Sequence, residues 1–292
     1  MRKVCEKLTW VGPLNNLEIH HHRLANNFTL PPHNAGTVKA RVSNANHGLR
    51  AAWFDACYTG SGGASSGSNR FHSDDEFCFI VEDDLELSPF WYVWLRKAWR
   101  AYRGRGDVAG ISLSVSTYPV RTDTALVKNS LLLQRQFLKL KKPDRSDAEI
   151  LNGHLPFLYK LVGTWGFAPH PRRWREFLDW FHSVDSESFD PYVPGMVTSD
   201  WLHQHTTMGK RHMTWEQWHI YHSERNGLYT LYLNLPRRMT LVSNWRESGV
   251  HTRGSFNAKD FPTLDYCAIQ LQEFPEKLRK YGWDCEEEDL TY

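Results

Sequence analysis

Three consecutive carboxylates, Glu82-Asp83-Asp84, end the apolar run FCFIV at residues 77–81. Like charges in a row repel one another, and a nearby cation relieves that repulsion. Ligands that are all oxygen favour hard divalent ions such as Mn²⁺ or Mg²⁺, which also bridge diphosphate oxygens. A metal held there neutralises the charge that develops on a nucleotide leaving group. The competing reading is an acidic helix start that merely complements the helix dipole. The apolar run directly before the triplet favours the metal.

Those residues need a scaffold, and the surrounding pattern describes one. An unbroken apolar run predicts a strand covered on both faces. Ser88-Pro89 then offers a cap and a first helical residue, and Trp91, Trp94, Leu95, Ala98 and Tyr102 follow at helical spacing up to Gly104. Residues 108–115 (VAGISLSV) form the next strand, giving a parallel crossover. Upstream, residues 17–23 (LEIHHHR) are a short strand whose histidines alternate faces and cannot share one metal. Residues 47–58 are an amphipathic helix capped by Asn46, and the Gly/Ser-rich loop 59–69 lacks the Lys-Ser/Thr of a phosphate cradle.

Downstream, residues 126–142 have a helical pattern and 157–162 are a strand leading into Gly163-Thr164-Trp165-Gly166. Pro171 opens a helix with Trp174, Phe177, Leu178 and Phe181 on one face. A further helix starts near Ser199 or Asp200, and Thr214 with Gln217 forms a capping box for another that ends at Asn226-Gly227. Residues 228–233 and 239–242 are strands, followed by a polar loop over 243–254. Alternating strands and helices predict an α/β fold, a mostly parallel sheet flanked by helices. In such sheets ligands bind beyond the carboxyl ends of the strands, where the triplet sits.

Composition narrows the function classes. A chain of 292 residues accommodates one large α/β domain or two small ones. A net charge of +2 with no basic stripe argues against electrostatic nucleic-acid binding. The sequence contains no run long enough to span a bilayer and no apolar signal core at its start. Some of its 13 Trp, 12 Tyr and 15 Phe must be core, and the surplus of Trp and Tyr also suits a site that stacks on sugar rings or bases. Five widely spaced cysteines without a CxxC pair argue against a structural zinc site. Cys78 reads as a buried thiol. Cys267 and Cys285 can pair in an oxidising compartment, which the glycosylation pattern Asn27-Phe28-Thr29 also suits.

The segment FCFIVEDDLELSPFWYVWL resembles the metal-binding strand and following helix of GT-A-fold nucleotide-sugar glycosyltransferases, in the branch of N-acetylglucosaminyltransferase I. The later order, LVGTWGFAPHPRRWREF, TWEQW, a strand pair and SNWRESGVHTRGSF, fits the same family over residues 44–265. The resemblance implies a metal-dependent transferase that moves a sugar from a nucleotide-sugar donor, a UDP-sugar, to a hydroxyl of a glycan, glycoprotein or glycolipid, with inversion. It makes Asp84 the direct metal ligand and gives Glu82 and Asp83 either the donor's ribose and sugar or the metal through water. Glu216 takes the place of the family's catalytic base, and Asp200 is the rival for that role. His251 or Arg253, in the loop after Trp245, meets the diphosphate. Trp165 and Trp245 are candidates to stack on sugar.

Two further expectations concern the ends. Residues 1–16 lack the family's opening apolar strand, so the chain reads as a single domain over 1–285 whose first strand is missing, with an acidic tail over 286–292. A longer form would carry a further strand–helix unit, and a membrane anchor before it would place the protein in the Golgi or secretory lumen. The rival from another class is a non-catalytic carbohydrate-binding or scaffold protein with a degenerate form of this fold. A metal-dependent phosphoesterase ranks last, because only one acidic cluster is evident.

Overall fold

The structure, a computed structural model, describes residues 16–21, 37–42, 48–57, 77–82, 84–114, 152–194, 196–245, 262–264 and 273–282. Strands β4 (Val108–Ser112), β5 (Phe157–Tyr159), β6 (Phe167–Pro169), β7 (Tyr229–Tyr232) and β9 (Lys280–Tyr281) form a five-stranded sheet in the order β6-β4-β7-β5-β9. The β4–β7 and β5–β9 pairs are parallel, whereas β4–β6 and β5–β7 are antiparallel. The α/β class is therefore observed, with a mixed sheet in place of the mostly parallel one expected. Strand direction leaves no trace in a short buried apolar run: FLY and FAP bury equally well either way.

Alternation along the strands sorts side chains into two layers. Ala168 faces a core built with α2 (Trp91–Tyr102), whose Trp94, Leu95, Ala98 and Trp99 pack against Ile111, Leu158 and Leu231. Its neighbour Phe167 faces the opposite core, which joins α1 (Gly48–Ala56), α3 (Pro171–Ser183) and α5 (Glu216–Arg225) through Trp53, Trp174, Phe177, Trp215 and Trp218. A further helix, α4 (Val197–Thr207), packs on α5. Helix α3 carries Pro171 at its start, as its sequence predicts.

The segment expected to be a doubly covered strand is different. Among the described residues its pairing is a single antiparallel bridge, Ile80 to Phe167, with Ile80 N–H donating to Phe167 O at 2.9 Å. Val81 is 41% exposed. The regular strand is β3 (Leu85–Leu87), on the far side of the triplet, paired antiparallel with β8 (Val242–Asn244). Ser88 does not cap α2: its hydroxyl donates to Leu264 O, and the helix starts at Trp91 after Phe90. A Cβ on Gly166, which has φ +67°, would lie 2.5 Å from Val242 Cγ2, so the turn before β6 needs glycine to close against β8.

Strand β1 (Asn16–His21) confirms the short strand read there and pairs in parallel with β2 (Thr37–Val42), which the sequence pattern did not reveal. Cys78 is not a free thiol; it is disulfide-bonded to Cys57 at the end of α1, with Cα atoms 6.0 Å apart. Cys267, Cys285, the 126–142 helix and both chain ends lie outside the described residues. Among the described residues no helix is long and apolar enough to cross a membrane.

Candidate active site at the acidic edge

The bridge at Ile80 ends on Glu82, whose carboxylate Oε1 accepts a hydrogen bond from Trp53 Nε1 at 3.0 Å. Two residues on, Asp84 Oδ2 accepts from Asn244 Nδ2 at 2.8 Å, and Asp84 O accepts from Trp245 N at 2.8 Å. Glu86, opposite Ser243 in the β3–β8 register, accepts from Trp245 Nε1 at 3.1 Å and from Thr263 Oγ1 at 2.9 Å. All three carboxylates are half-buried. The β3–β8 pair thus fixes two acids from one side and α1 fixes the third from the other. Asp83, His251 and Arg253 lie outside the described residues. Among the described residues no three His, Cys, Asp or Glu side chains group closely enough to hold a metal ion.

Mn²⁺ or Mg²⁺ nonetheless suits the donor set, because such ions are commonly held by one or two carboxylates together with substrate phosphates. Asp84, a hard oxygen donor kept in place by Asn244, is the residue that fits that part.

The segment that carries Glu216 sits one aromatic layer away. Trp53 stacks on Trp215, ring centroids 4.1 Å apart. Trp215 N donates to Glu216 Oε2 at 3.1 Å, so the Glu216 carboxylate folds over the first turn of α5. The expected capping box does not form, because both its side chains have other partners. Thr214 Oγ1 donates to Arg211 O at 3.1 Å, while Gln217 accepts from Thr198 Oγ1 and donates to Pro191 O at 2.6 Å. The Thr198–Gln217 bond ties the first turn of α4, which carries Asp200, to the first turn of α5, which carries Glu216. Asp200 lies in the first turn of α4, whose N-cap is Met196. Asp200 and Glu216 are both half-buried.

The aromatic surplus has a structural explanation. Trp94, Trp174, Trp215 and Trp218 are fully buried, and none is presented for stacking on a ligand. Trp245 donates to Glu86, and half-buried Trp165 packs on the α2-side core. Within the opposite core, His219 contacts Phe167, Trp174, Phe177 and Trp215. Burial, reinforced by repulsion from His222, lowers its pKa to about 3. Burial lowers that of His222 to about 4, against the attraction of Glu176. Both imidazoles are neutral near neutral pH.

Sequence reasoning missed Trp53, Glu86 and Asn244. Trp53 showed only as one apolar position of an amphipathic helix, and the asparagine and Glu86 carry no signal until β3 and β8 are paired. Comparison with protein-family models finds no match, and comparison with curated proteins finds none either.

Proposed function

We propose that this chain is a metal-dependent glycosyltransferase of GT-A type. It moves a sugar from a nucleotide-sugar donor, a UDP-sugar, to a hydroxyl acceptor on a glycan or glycoconjugate, with inversion. The observation that carries the reading is the Trp53 bridge: one indole holds Glu82 of the acidic triplet and stacks on the residue preceding Glu216. The placement of Glu82 and Asp84 at the end of the Ile80 bridge supports it further.

In this reading Asp84 holds Mn²⁺ or Mg²⁺, which when bound neutralises charge on the leaving diphosphate. Glu82 and Asp83 orient the donor, with His251 and Arg253 on its phosphates. The acceptor oxygen attacks the anomeric carbon as the bond from that carbon to phosphate oxygen breaks. The electron pair leaves with the nucleoside diphosphate, and the acceptor proton passes to Glu216, or to Asp200. A lumenal setting is consistent with the Cys57–Cys78 disulfide, since such bonds persist in oxidising compartments.

One observation favours the rival, a non-catalytic carbohydrate-binding or scaffold protein: the Glu216 carboxylate is engaged on the start of its own helix. A thermal-shift screen of nucleotide sugars with and without Mn²⁺ decides for binding, and donor hydrolysis without acceptor decides between enzyme and scaffold. A Mn²⁺-dependent rise in midpoint with slow hydrolysis supports the transferase. Binding without hydrolysis passes the assignment to the scaffold.

A further inference from the structure

Among the described residues the exposed large apolar side chains are Val81, Val93, Tyr192 and Met208, and of these Tyr192 alone offers a flat ring. Tyr192 is 46% exposed. Its ring lies nearly parallel to that of His203, with planes 12° apart and centroids 5.8 Å apart. His203 Nε2 in turn donates to the Asp190 carboxylate, at 2.9 Å from Oδ2 and 3.1 Å from Oδ1. About half of each side chain in this pair is open to solvent. A solvent-facing aromatic ring therefore adjoins a charged donor–acceptor pair.

A single exposed tyrosine is ordinary on a protein surface. This one differs in how firmly its backbone is held. The carbonyl of Pro191, just before it, accepts from Gln217 Nε2 at 2.6 Å. Val193, just after it, donates from its N–H to Ser199 Oγ and accepts from the same hydroxyl at its carbonyl, both at 3.0 Å. Upstream in the same loop, the Arg211 guanidinium donates to Ser186 O at 2.7 Å and to Phe189 O. Helices α4 and α5 thus fix both flanks of Tyr192. A ring presented from a fixed backbone loses little conformational entropy when a ligand covers it.

The chemistry around the ring selects the ligand. A pyranose has an apolar face of C–H groups and a rim of hydroxyls. A flat aromatic ring covers the first, and Asp190 with His203 offers hydrogen bonds to the second. The charge of the surroundings disfavours anions: residues 185–190 carry Asp185, Glu187 and Asp190, and Asp200 precedes His203 by one turn of α4. Arg211 is already committed to the loop carbonyls. Like-charge juxtaposition penalises a phosphate or carboxylate here, and a neutral sugar avoids that cost.

We infer that Tyr192, His203 and Asp190 form a subsite for a neutral saccharide, and that the saccharide it seats is the acceptor. Positions three apart on a helix are neighbours on one face, with Cβ atoms about 5–6 Å apart, so His203 sets the sugar beside Asp200. The word acceptor rests on the transferase reading; the saccharide platform does not.

Saturation-transfer NMR titrations of the full chain with chitotriose, mannotriose and N-acetyllactosamine, at millimolar concentration, test the platform. We expect at least one of them to bind. Tyr192→Ala should weaken that probe roughly three- to tenfold, and Tyr192→Trp should restore it, because the flat face and not the hydroxyl carries the contact. His203→Ala, from a different element, should weaken it about two- to fivefold. With donor and acceptor both present, Tyr192→Ala should raise the acceptor KM more than it lowers kcat. No binding of any of the three saccharides overturns the site, as does an affinity that none of these substitutions moves. Tighter binding of UMP, or of triglucosamine over chitotriose, gives the ring to a nucleobase or a cation and overturns the saccharide assignment. Tyr192-dependent saccharide binding by a chain that turns over no donor supports the platform and overturns its acceptor role, which separates failure of the transferase reading from failure of this site.

Discussion

The indole of Trp53 stacks on that of Trp215 with their planes 21° apart, while its N–H donates to Glu82. Trp53→Phe keeps an aromatic face and removes the donor. It should destabilise the protein by about 1.5–3 kcal/mol, the range for a lost hydrogen bond to a charged group, in urea denaturation. Trp53→Ala, which also empties a buried ring site, should cost roughly 3–5 kcal/mol. If Trp53→Phe matches the wild type in both stability and donor affinity, the bridge has no energetic role.

Asp84→Ala should abolish Mn²⁺-dependent binding of UDP in calorimetry while far-UV circular dichroism stays unchanged. Its lost bond to Asn244 is a hydrogen bond to a charged group and should cost about 1.5–3 kcal/mol of stability. Metal-dependent affinity equal to that of the wild type would remove Asp84 from the metal site.

Glu216→Gln should lower turnover by roughly 10²–10⁴-fold, as for loss of a general base, with donor affinity nearly constant. The amide still accepts from Trp215 N, so α5 keeps its first turn. The same kinetic pattern in Asp200→Asn, and not in Glu216→Gln, transfers the role to Asp200.

The buried histidines make stability depend on pH. Unfolded, each titrates near 6.5; folded, His219 titrates at about 3 and His222 at about 4. Between those values the unfolded chain binds more protons, so stability falls as pH drops below about 6.5 and is fully present only above it. Each histidine contributes a slope of up to about 1.4 kcal/mol per pH unit. Urea unfolding at pH 7, 6 and 5 should show this loss, and His219→Leu should flatten it. An unchanged slope in that variant would show that His219 protonates freely in the fold.

The Cys57–Cys78 bond closes a loop with a sequence separation of 21 residues, for which chain entropy gives about 3 kcal/mol. Peptide mapping without reductant should recover the crosslinked pair, and Cys57→Ser should lower stability by about that amount. Quantitative alkylation of both thiols in the native protein would refute the bond.

How much of this was legible in the chain depends on the range of the interactions. Local patterns sufficed where the cause is local: the periodicity of Trp94, Leu95 and Ala98 fixes the buried face of α2, Pro171 fixes the start of α3, and Asn226-Gly227 ends α5. The acidic triplet also stood out, because three adjacent like charges repel one another whatever the fold. Tertiary structure decided what depends on distant partners. Whether Phe167 runs with or against Ile80 is set by neighbours in the sheet, and a short apolar run buries equally well in either direction. Thr214 and Gln217 match a capping box, yet Arg211 and Thr198 offer them competing bonds that only the packed helices bring within reach. The tryptophan surplus admitted both a stacking site and a core; the pairing of Trp53 with Trp215, 162 positions apart, made it core, since apolar area is stabilised by whatever removes it from water and sequence distance does not enter.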